Sequence, residues 1–211
     1  MKNKRDINRI DLIKEIGTEF PKGFGVEVGT FKGEFSKQIL ENWSGTLYMV
    51  DVWRSLGDEY IDSSNHGNFD IEIFGESIKN IKGHEDRGVM VRASSEIASN
   101  MFLDNSLDFV YIDANHAYDF VKEDIQLWYP KVKSGGWVMG HDYILTDWTT
   151  PPFAENGIDK HIWTNKGDGG DYNIYAGIFG VNPAVDEFCK ENNYNPELTS
   201  EWFSTWYFQK R

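Results

Sequence analysis

The stretch FGVEVGTFKGEFS, residues 24–36, determines which fold the sequence predicts. Residues 26–28 read as the end of a buried strand, and the residues from Glu34 onward have helical periodicity. Gly29 and Gly33 bracket the loop between them, where a residue without Cβ lets the backbone turn sharply and lets a ligand approach it. A strand, a glycine-containing turn and a helix in this order are typical of the nucleotide-binding corner of a doubly wound sheet.

The rest of the chain continues the alternation of strands and helices. Short apolar runs that predict further strands lie at residues 46–50, 88–92, 107–112 and 137–139. Strands alternating with helices indicate a parallel sheet. Residues 173–180 and 201–208 then predict a closing pair of strands, one of them antiparallel, because a single helix separates them. We therefore predict one Rossmann-like α/β domain over residues 1–211, with a seven-stranded, mostly parallel sheet and one antiparallel strand near the C-terminus.

Three segments lie outside this alternation. Residues 7–19 carry an apolar stripe at helical spacing and predict a helix before the first strand. Residues 53–68 and 143–172 are polar inserts that contain glycine, and long loops in compact domains are commonly functional. We expect the two inserts to shape a binding site for the second substrate.

Composition limits the choice of partners. The formal net charge of -13 and the sequence pI of about 4.8 disfavour electrostatic binding of nucleic acid. The single cysteine, Cys189, indicates a reducing compartment. The sequence shows neither a signal peptide nor an apolar run long enough to span a bilayer, which predicts a soluble cytoplasmic protein without a membrane partner. The aromatic last strand either forms a homodimer surface or packs on a helix, and the sequence leaves both open.

The glycine loop has a specific family resemblance. Its glycines are spaced Gly-x-x-x-Gly, and Glu27 stands two residues before the first of them. This pattern resembles motif I of the class I S-adenosylmethionine-dependent methyltransferases and differs from the Gly-x-Gly-x-x-Gly fingerprint of dinucleotide enzymes. The resemblance implies that Glu27 orients the amino group of the methionine moiety through main chain or water. The alternative for Glu27 is a core acid that a lysine neutralises.

Polar residues follow the other predicted strands, and ligands of open parallel sheets bind beyond these ends. Asp51 ends the second strand, where a carboxylate accepts hydrogen bonds from ribose hydroxyls; its alternative is a helix cap or a loop acid. Ser94 and Ser95 either contact adenine or cap the next helix. Trp53 either packs on the adenine ring or belongs to the loop core.

Acids and histidines at the ends of the fourth and fifth strands indicate a catalytic centre. Asp113 and Asp142 follow neighbouring strands, so their carboxylates are expected to converge on a hard cation such as magnesium. His141 is the weaker candidate ligand, because imidazole nitrogen is a softer donor. His116 is the candidate general base, because its pKa range suits removal of a proton from a hydroxyl.

A third ligand is left open. Asp168 and Asp171, in a glycine-rich segment, either complete the metal site or make turns.

Three motifs in the same order extend the resemblance: residues 50–58, 113–116 and 140–143 are similar to small O-methyltransferases of the macrocin and cephalosporin-tailoring type. The resemblance implies an S-adenosylmethionine cofactor, a divalent metal (usually magnesium) and transfer of a methyl group to a hydroxyl of a small molecule, such as a sugar or a sugar-bearing metabolite. The residues expected at the cofactor are Glu27, Gly29, Thr30, Phe31, Gly33, Asp51, Val52, Trp53, Ser94, Ser95 and Asp113. The residues expected in catalysis are His116, Asp113 and Asp142.

Other functions are compatible with parts of the pattern. An N-methyltransferase would have the same fold. A nicotinamide-dependent oxidoreductase is weakened by the missing glycine fingerprint and by the absence of a Tyr-x-x-x-Lys motif on a helix. A binding module without catalysis would need neither His116 nor the Asp113 and Asp142 pair. The sequence does not identify the methyl acceptor.

Overall fold

The structure is a computed structural model that describes residues 3–54, 56, 70–144, 162–166, 172–178 and 180–211. Most of the two predicted inserts lies outside these residues, and so do Asp168 and Asp171. Within the described residues no helix is long and apolar enough to cross a membrane.

Ten strands are described in chain order. They are β1 (Asn3–Lys4), β2 (Phe24–Val28), β3 (Thr46–Asp51), β4 (Gly88–Arg92), β5 (Leu107–Ile112), β6 (Val132–Ile144), β7 (Ile162–Lys166), β8 (Tyr172–Ile178), β9 (Glu197–Leu198) and β10 (Phe203–Gln209). The α-helices within the described residues are α1 (Arg9–Glu19), α2 (Glu34–Asn42), α3 (Asp70–Asn80), α4 (Ser95–Ser99), α5 (Tyr118–Trp128) and α6 (Val181–Glu191). A 3-10 turn, Tyr129–Lys131, joins α5 to β6.

The main sheet confirms the predicted fold class. Its strand order is β1-β9-β10-β6-β5-β2-β3-β4. Strands β2 to β6 pair in parallel, whereas β10 is antiparallel to both of its neighbours, β6 and β9. Two-residue β1 adds an outer edge to a seven-stranded Rossmann-like arrangement. The single antiparallel strand near the C-terminus is therefore correct.

One predicted strand pairs elsewhere. The segment predicted at residues 173–180 forms β8, which pairs with β7 in a separate two-stranded sheet. The place next to β10 is taken by β9. A strand of two residues is too short to produce a periodic pattern, so β9 could not be predicted from the sequence.

Two hydrophobic clusters cover the two faces of the sheet. On one face α5 and α6 contribute Val121, Ile125 and Val185. On the other face α1 and α2 contribute Leu12 and Ile39. Because both faces are covered, the central strands are mostly apolar, as parallel strands usually are, with buried Glu27 in β2 and buried Asp108 in β5 as exceptions. The sheet edge beyond the carboxyl ends of the strands is then the place where polar side chains can gather.

The strand order reverses at β2. From β2 the chain proceeds to β3 and β4 on one side, while β5 and β6 lie on the other. A crevice opens at such a reversal because the crossover connections leave in opposite directions, and ligands of open α/β sheets bind there. The glycine loop that follows β2 lies at this point.

Candidate active site

A cavity of about 380 Å³ lies beyond the carboxyl ends of β2, β3, β4 and β5. Its walls include the glycine loop, the segment after β3, the start of α4 and one face of α5. Of the residues predicted at the cofactor, Gly29, Phe31, Asp51, Val52, Trp53, Ser94, Ser95 and Asp113 line the cavity. The volume falls in the range of sites for small molecules and cofactors.

Backbone hydrogen bonds at Val28 and Gly29 join the end of β2 to the ends of β5 and β3. The amide of Gly29 donates a hydrogen bond to the carbonyl of Val50 (2.8 Å), and the amide of Asp113 donates to the carbonyl of Val28 (2.8 Å). The φ of Gly29, 90°, lies in the left-handed region, and a Cβ there would lie 2.0 Å from the carbonyl oxygen of Asp113. Glycine is therefore required both by the backbone conformation and by the close approach of β5.

Asp51 organises the cavity wall through main-chain contacts. Its Oδ2 accepts a hydrogen bond from the amide of Phe31, and its Oδ1 accepts one from the amide of Trp53, both at 2.8 Å. Burial raises the pKa of Asp51, and these hydrogen bonds act in the opposite direction. Each carboxylate oxygen has a second lone pair, so Asp51 can still accept hydrogen bonds from a ligand.

Trp53 is both loop core and cavity wall. Its side chain is buried, its Nε1 donates to the carbonyl of Phe31 (2.8 Å), and its ring lies 5.0 Å from that of Phe74. Phe31 and Trp53 both have positive φ, 50° and 40°. Such values are uncommon for bulky residues, and the hydrogen bonds that both backbone amides donate to Asp51 keep this conformation in place.

Ser94 and Ser95 have different roles. The Oγ of Ser94 accepts from the amide of Ile97 (3.4 Å) and caps α4, which is the alternative that the sequence left open. The hydroxyl of Ser95 instead donates to Asp124 on α5 and accepts from the indole of Trp128. Both serines line the cavity.

Three residues that were predicted at the cofactor do not line the cavity: Glu27, Thr30 and Gly33. Glu27 is 1% exposed and accepts a hydrogen bond from Ser36 on α2. Burial raises the pKa of Glu27 to about 8, so this acid is largely protonated at neutral pH. Gly33 precedes α2 with a φ of 75°, and its amide donates to the carbonyl of Thr30 (2.8 Å).

Four side chains form an acid-histidine group: Asp113 and His116 follow β5, whereas His141 and Asp142 lie within β6, which continues past the predicted strand end at residue 139. Potential ligand atoms of Asp113, His141 and Asp142 lie within 4.8 Å of one another. Nε2 of His116 lies 2.7 Å from Oδ2 of Asp142 and 3.8 Å from Oδ1 of Asp113. Nδ1 of His141 lies 3.1 Å from Oδ1 of Asp142. The predicted convergence of the two carboxylates is present, and His141 joins them.

The electrostatics of this group couple its members. Burial alone would raise the pKa of Asp142, but the contacts with His116 and His141 outweigh it and hold this pKa well below the usual range. Burial also opposes the charged form of His141, yet its contact with Asp142 and the charge of Asp113 raise its pKa. Asp142 has a φ of 60°, in the left-handed region that residues other than glycine seldom adopt.

Arg9 is a neighbour of this group that the sequence pattern did not reveal. Its Nη1 lies 3.5 Å from Nε2 of His141, and its guanidinium carbon lies 4.3 Å from the ring centre of Phe35. Burial lowers the pKa of Arg9, but Tyr111 and the charge of Asp113 raise it overall. A charged residue at the start of a helix carries no pattern that predicts such a long-range contact.

Two further cavity residues had a weak sequence signal. Asn115 is 3% exposed, and its Oδ1 accepts from the amide of Ala117 (2.8 Å). Asp124 is 6% exposed on α5. It falls three residues after Val121 and four before Trp128, on the apolar stripe of the helix, so periodicity could have marked it as a buried acid.

The fold and this cavity define a Rossmann-like α/β protein with a ligand site at the reversal of strand order. A family model described as "Methyltransferase domain" matches residues 26–143, more than half of the chain. The chain therefore belongs to this methyltransferase family. The predicted resemblance to the methyltransferases is confirmed by this match.

A curated protein and several solved structures resemble this chain to different extents. An uncharacterized protein, R132, of Acanthamoeba polyphaga mimivirus is 30% identical over 128 residues, which are 59% of this chain and 53% of that protein. The match thus spans about half the length of this curated relative.

Solved structures extend the likeness over the whole fold. A candidate caffeoyl-CoA O-methyltransferase from Staphylococcus aureus has a TM-score of 0.63 at 14% identity, covering 97% of this chain and 85% of the other. The O-methyltransferase NovP has a TM-score of 0.54 at 15% identity, covering 96% and 79%. At such identities the likeness concerns the fold alone.

Proposed function

We propose that this protein transfers a methyl group from S-adenosylmethionine to a hydroxyl of a small molecule. The observation that carries the proposal is the position of Asp113. This residue lines the cavity and also lies 3.8 Å from Nε2 of His116 and 3.9 Å from Nδ1 of His141. A ligand in the cavity would therefore end beside groups that can remove a proton and hold a cation.

The cavity residues fit S-adenosylmethionine. Asp51 offers a carboxylate with lone pairs to spare, as a ribose diol requires. Nδ2 of Asn115 is buried and, among the described residues, has no hydrogen-bond partner. A buried amide without a partner costs free energy, about 1–3 kcal/mol, and a ligand acceptor would recover it. The cavity therefore has both an acceptor and a donor ready for a nucleoside.

The acid-histidine group fits a divalent cation. Two carboxylates and one imidazole would hold it: Asp113, Asp142 and His141. Carboxylate oxygens suit magnesium, which usually keeps several waters and binds few protein ligands, whereas the imidazole suits other divalent metals. A bound cation would supply positive charge that lowers the pKa of the acceptor hydroxyl and fixes its orientation.

His116 is the proposed general base. A bound cofactor would supply an electrophilic methyl group on a sulfonium. As the acceptor oxygen forms its bond to this methyl carbon and the carbon–sulfur bond breaks, the hydroxyl proton would pass to the imidazole of His116. Asp142, 2.7 Å from Nε2 of His116, would orient the ring and stabilise its charged form.

The acceptor is proposed to be small and uncharged or cationic. The net charge of -13 and the carboxylates that line the cavity disfavour nucleic acid. The names of the Staphylococcus aureus protein and of NovP favour a hydroxyl over an amine. A sugar or a sugar-bearing metabolite rests on the family resemblance, and N-methylation and a homodimer remain outcomes to be tested.

Two experiments test the proposal. Titration calorimetry with S-adenosylhomocysteine and with NAD is expected to give heat with the first ligand only. Methyl transfer to a panel of hydroxylated and aminated acceptors, with and without EDTA, is expected to favour hydroxyls and to fall when metal is removed. Binding of NAD without S-adenosylhomocysteine would overturn the proposal. Activity that EDTA leaves unchanged would remove the metal and retain the methyltransferase.

A further inference from the structure

Arg9 carries a permanent positive charge beside the side chains that would hold a metal ion. Its Nη1 lies 3.5 Å from Nε2 of His141, one of the three potential ligands. Like charges repel, so a fixed cation in this place weakens the binding of any metal ion. The proposed function gives Arg9 no task that would explain its position.

Contacts on several sides hold Arg9 in this position. Its backbone amide donates to Oε2 of Glu201 (3.0 Å), and its Nε lies 3.9 Å from Oε1 of the same carboxylate. Its guanidinium carbon lies over the ring of Phe35, 4.3 Å from the ring centre, where the ring attracts a cation. Tyr111 adds a further polar contact. Movement of Arg9 away from His141 would therefore break several contacts at once.

The two nitrogens of His141 face partners of opposite kinds. Nδ1 lies 3.1 Å from Oδ1 of Asp142, and a carboxylate oxygen can only accept. Nε2 faces the guanidinium of Arg9, which can only donate. A neutral imidazole satisfies both partners in one tautomer, with its proton on Nδ1. The hydrogen bonds therefore run from Arg9 to His141 and from His141 to Asp142.

In this tautomer neither nitrogen of His141 has a lone pair free for a metal ion, because Nε2 accepts from Arg9 and Nδ1 carries the proton. The opposite tautomer would free Nδ1 but would set the Nε2 proton against the guanidinium, donor against donor. A doubly protonated ring has no free lone pair either, and burial and the charge of Arg9 both act against it. The three potential ligands are thereby reduced to two carboxylates, those of Asp113 and Asp142.

We propose that Arg9 makes the metal site selective for hard divalent cations by keeping the imidazole of His141 from the ion. This assignment rests on the proposed function, in which a divalent cation binds. Carboxylate oxygens and water suit magnesium and manganese, whereas an imidazole ligand favours ions such as zinc. With Arg9 in place, His141 orients the carboxylate of Asp142, as side chains behind metal ligands commonly do. Without Arg9, the same imidazole is free to become a ligand.

The test is titration calorimetry of the full chain with Mn²⁺ and with Zn²⁺. The quantity compared is the zinc preference, the dissociation constant for Mn²⁺ divided by that for Zn²⁺. Arg9→Met removes the charge and the donors of this side chain. Loss of the charge should strengthen both ions alike and cancel in the ratio. The zinc preference is expected to rise at least about tenfold, since changes at or behind a metal ligand typically alter metal affinity by about 10 to 100-fold.

His141→Ala separates an orienting side chain from a ligand and needs no change at Arg9. In the native background it is expected to weaken both ions by a similar factor, so that the zinc preference changes less than about threefold. In the Arg9→Met background the same substitution is expected to remove the gain in zinc preference, because that gain requires the imidazole. The two backgrounds form a double-mutant cycle that measures the coupling of Arg9 with His141.

Two further variants serve as controls. Arg9→Lys retains a cation that can only donate and is expected to keep the native zinc preference. Arg5→Met removes an arginine that pairs with Glu15 and is expected to keep it as well.

The outcomes distinguish this assignment from the proposed function. An unchanged zinc preference in Arg9→Met would overturn the assignment. A fall of about tenfold or more in His141→Ala alone would do the same, because it would make His141 a ligand beside Arg9. A native protein that binds neither ion, or that binds both as well after Asp142→Asn, would instead contradict the metal in the proposed function, and the selectivity would fail with it.

Discussion

The two sides of the candidate site are built in different ways. On the cofactor side, Asp51 and Gly29 act through main-chain hydrogen bonds to Phe31, Trp53 and Val50. In the acid-histidine group, the contacts run from side chain to side chain, as in the 2.7 Å approach of His116 to Asp142. The hydrogen bonds to Asp51 hold the main chain in shape while this carboxylate is ionised, whereas contacts between charged side chains also change with bound ions. Substitutions should therefore alter binding on the first side and chemistry on the second.

Gly29→Ala should have the largest effect, because it should destabilise the fold and abolish cofactor binding. A Cβ would lie 2.0 Å from the carbonyl oxygen of Asp113, and the φ of 90° would be strained as well. We expect a loss of stability of about 3 kcal/mol or more and no measurable binding of S-adenosylhomocysteine. Denaturant unfolding and calorimetry measure the two effects.

The matched control for this substitution is Gly75→Ala. Gly75 lies within α3, where an added Cβ would meet no atom within 4 Å. Alanine is favoured over glycine inside a helix, so this variant should be stabilised by up to about 1 kcal/mol. Equal stability of the two alanine variants would show that the loop after β2 tolerates a side chain, contrary to the geometry.

His116→Ala should slow the methyl transfer and leave cofactor binding intact. Loss of a general base typically lowers the rate by a factor of about 10² to 10⁴. We expect kcat to fall in this range, while the affinity for S-adenosylhomocysteine changes less than about threefold, since His116 does not line the cavity. His84→Ala, a change remote from the cavity, should leave kcat unaltered. A His116 variant that weakens cofactor binding and retains kcat would reverse the roles of the two sides.

Glu27→Gln should change the pH dependence of stability. The pKa of Glu27 is raised to about 8 in the folded protein, above its ordinary value of 4.5, so folding retains a proton that the unfolded chain releases. The native protein should therefore lose stability as the pH rises from about 4.5 through 8, by about 5 kcal/mol in total. Glutamine carries no such penalty, so its advantage over glutamate should grow with pH.

Denaturant unfolding at pH 5.5 and at pH 9 measures this difference. Glu34→Gln, in the exposed first turn of α2, serves as the control and should follow the native pH profile. The same profile for Glu27→Gln and the native protein would mean that Glu27 ionises normally in the fold.

Trp53→Phe should have the smallest effect. The substitution removes the hydrogen bond from Nε1 to the carbonyl of Phe31 and keeps an aromatic ring against Phe74. We expect a loss of about 1 kcal/mol in stability and a decrease in cofactor affinity of less than about tenfold. An effect as large as that of Gly29→Ala would place Trp53 in direct contact with the cofactor.

The same contrast explains what the sequence could predict. Glycine spacing and strand periodicity are local, so β2, its loop and the convergence of Asp113 with Asp142 were predictable. The contact of Arg9 with His141 joins residues 132 positions apart, and no local pattern encodes it. The pairing of β8 with β7 was missed because periodicity identifies a strand but not its partner.

Glu27 and Asp124 show a second limit of prediction from sequence, which is the burial of an acid. Sequence placed Glu27 among the cofactor residues, yet its side chain is buried beneath the loop and bonded to Ser36. Asp124 was passed over because it lies within an amphipathic helix, although its position on the apolar stripe is the signal of a buried acid. Burial of an ionisable group depends on how the helices pack on the sheet, and that packing is not local to either residue.

A crystal structure of the protein soaked with S-adenosylhomocysteine tests the central claim most directly. The account predicts density for the ribose at Asp51, for the adenine on the β4 side of the cavity, and for the sulfur on the side of Asp113. Density for the nucleoside at any other place, or an adenosine that runs in the opposite direction through the cavity, would contradict it.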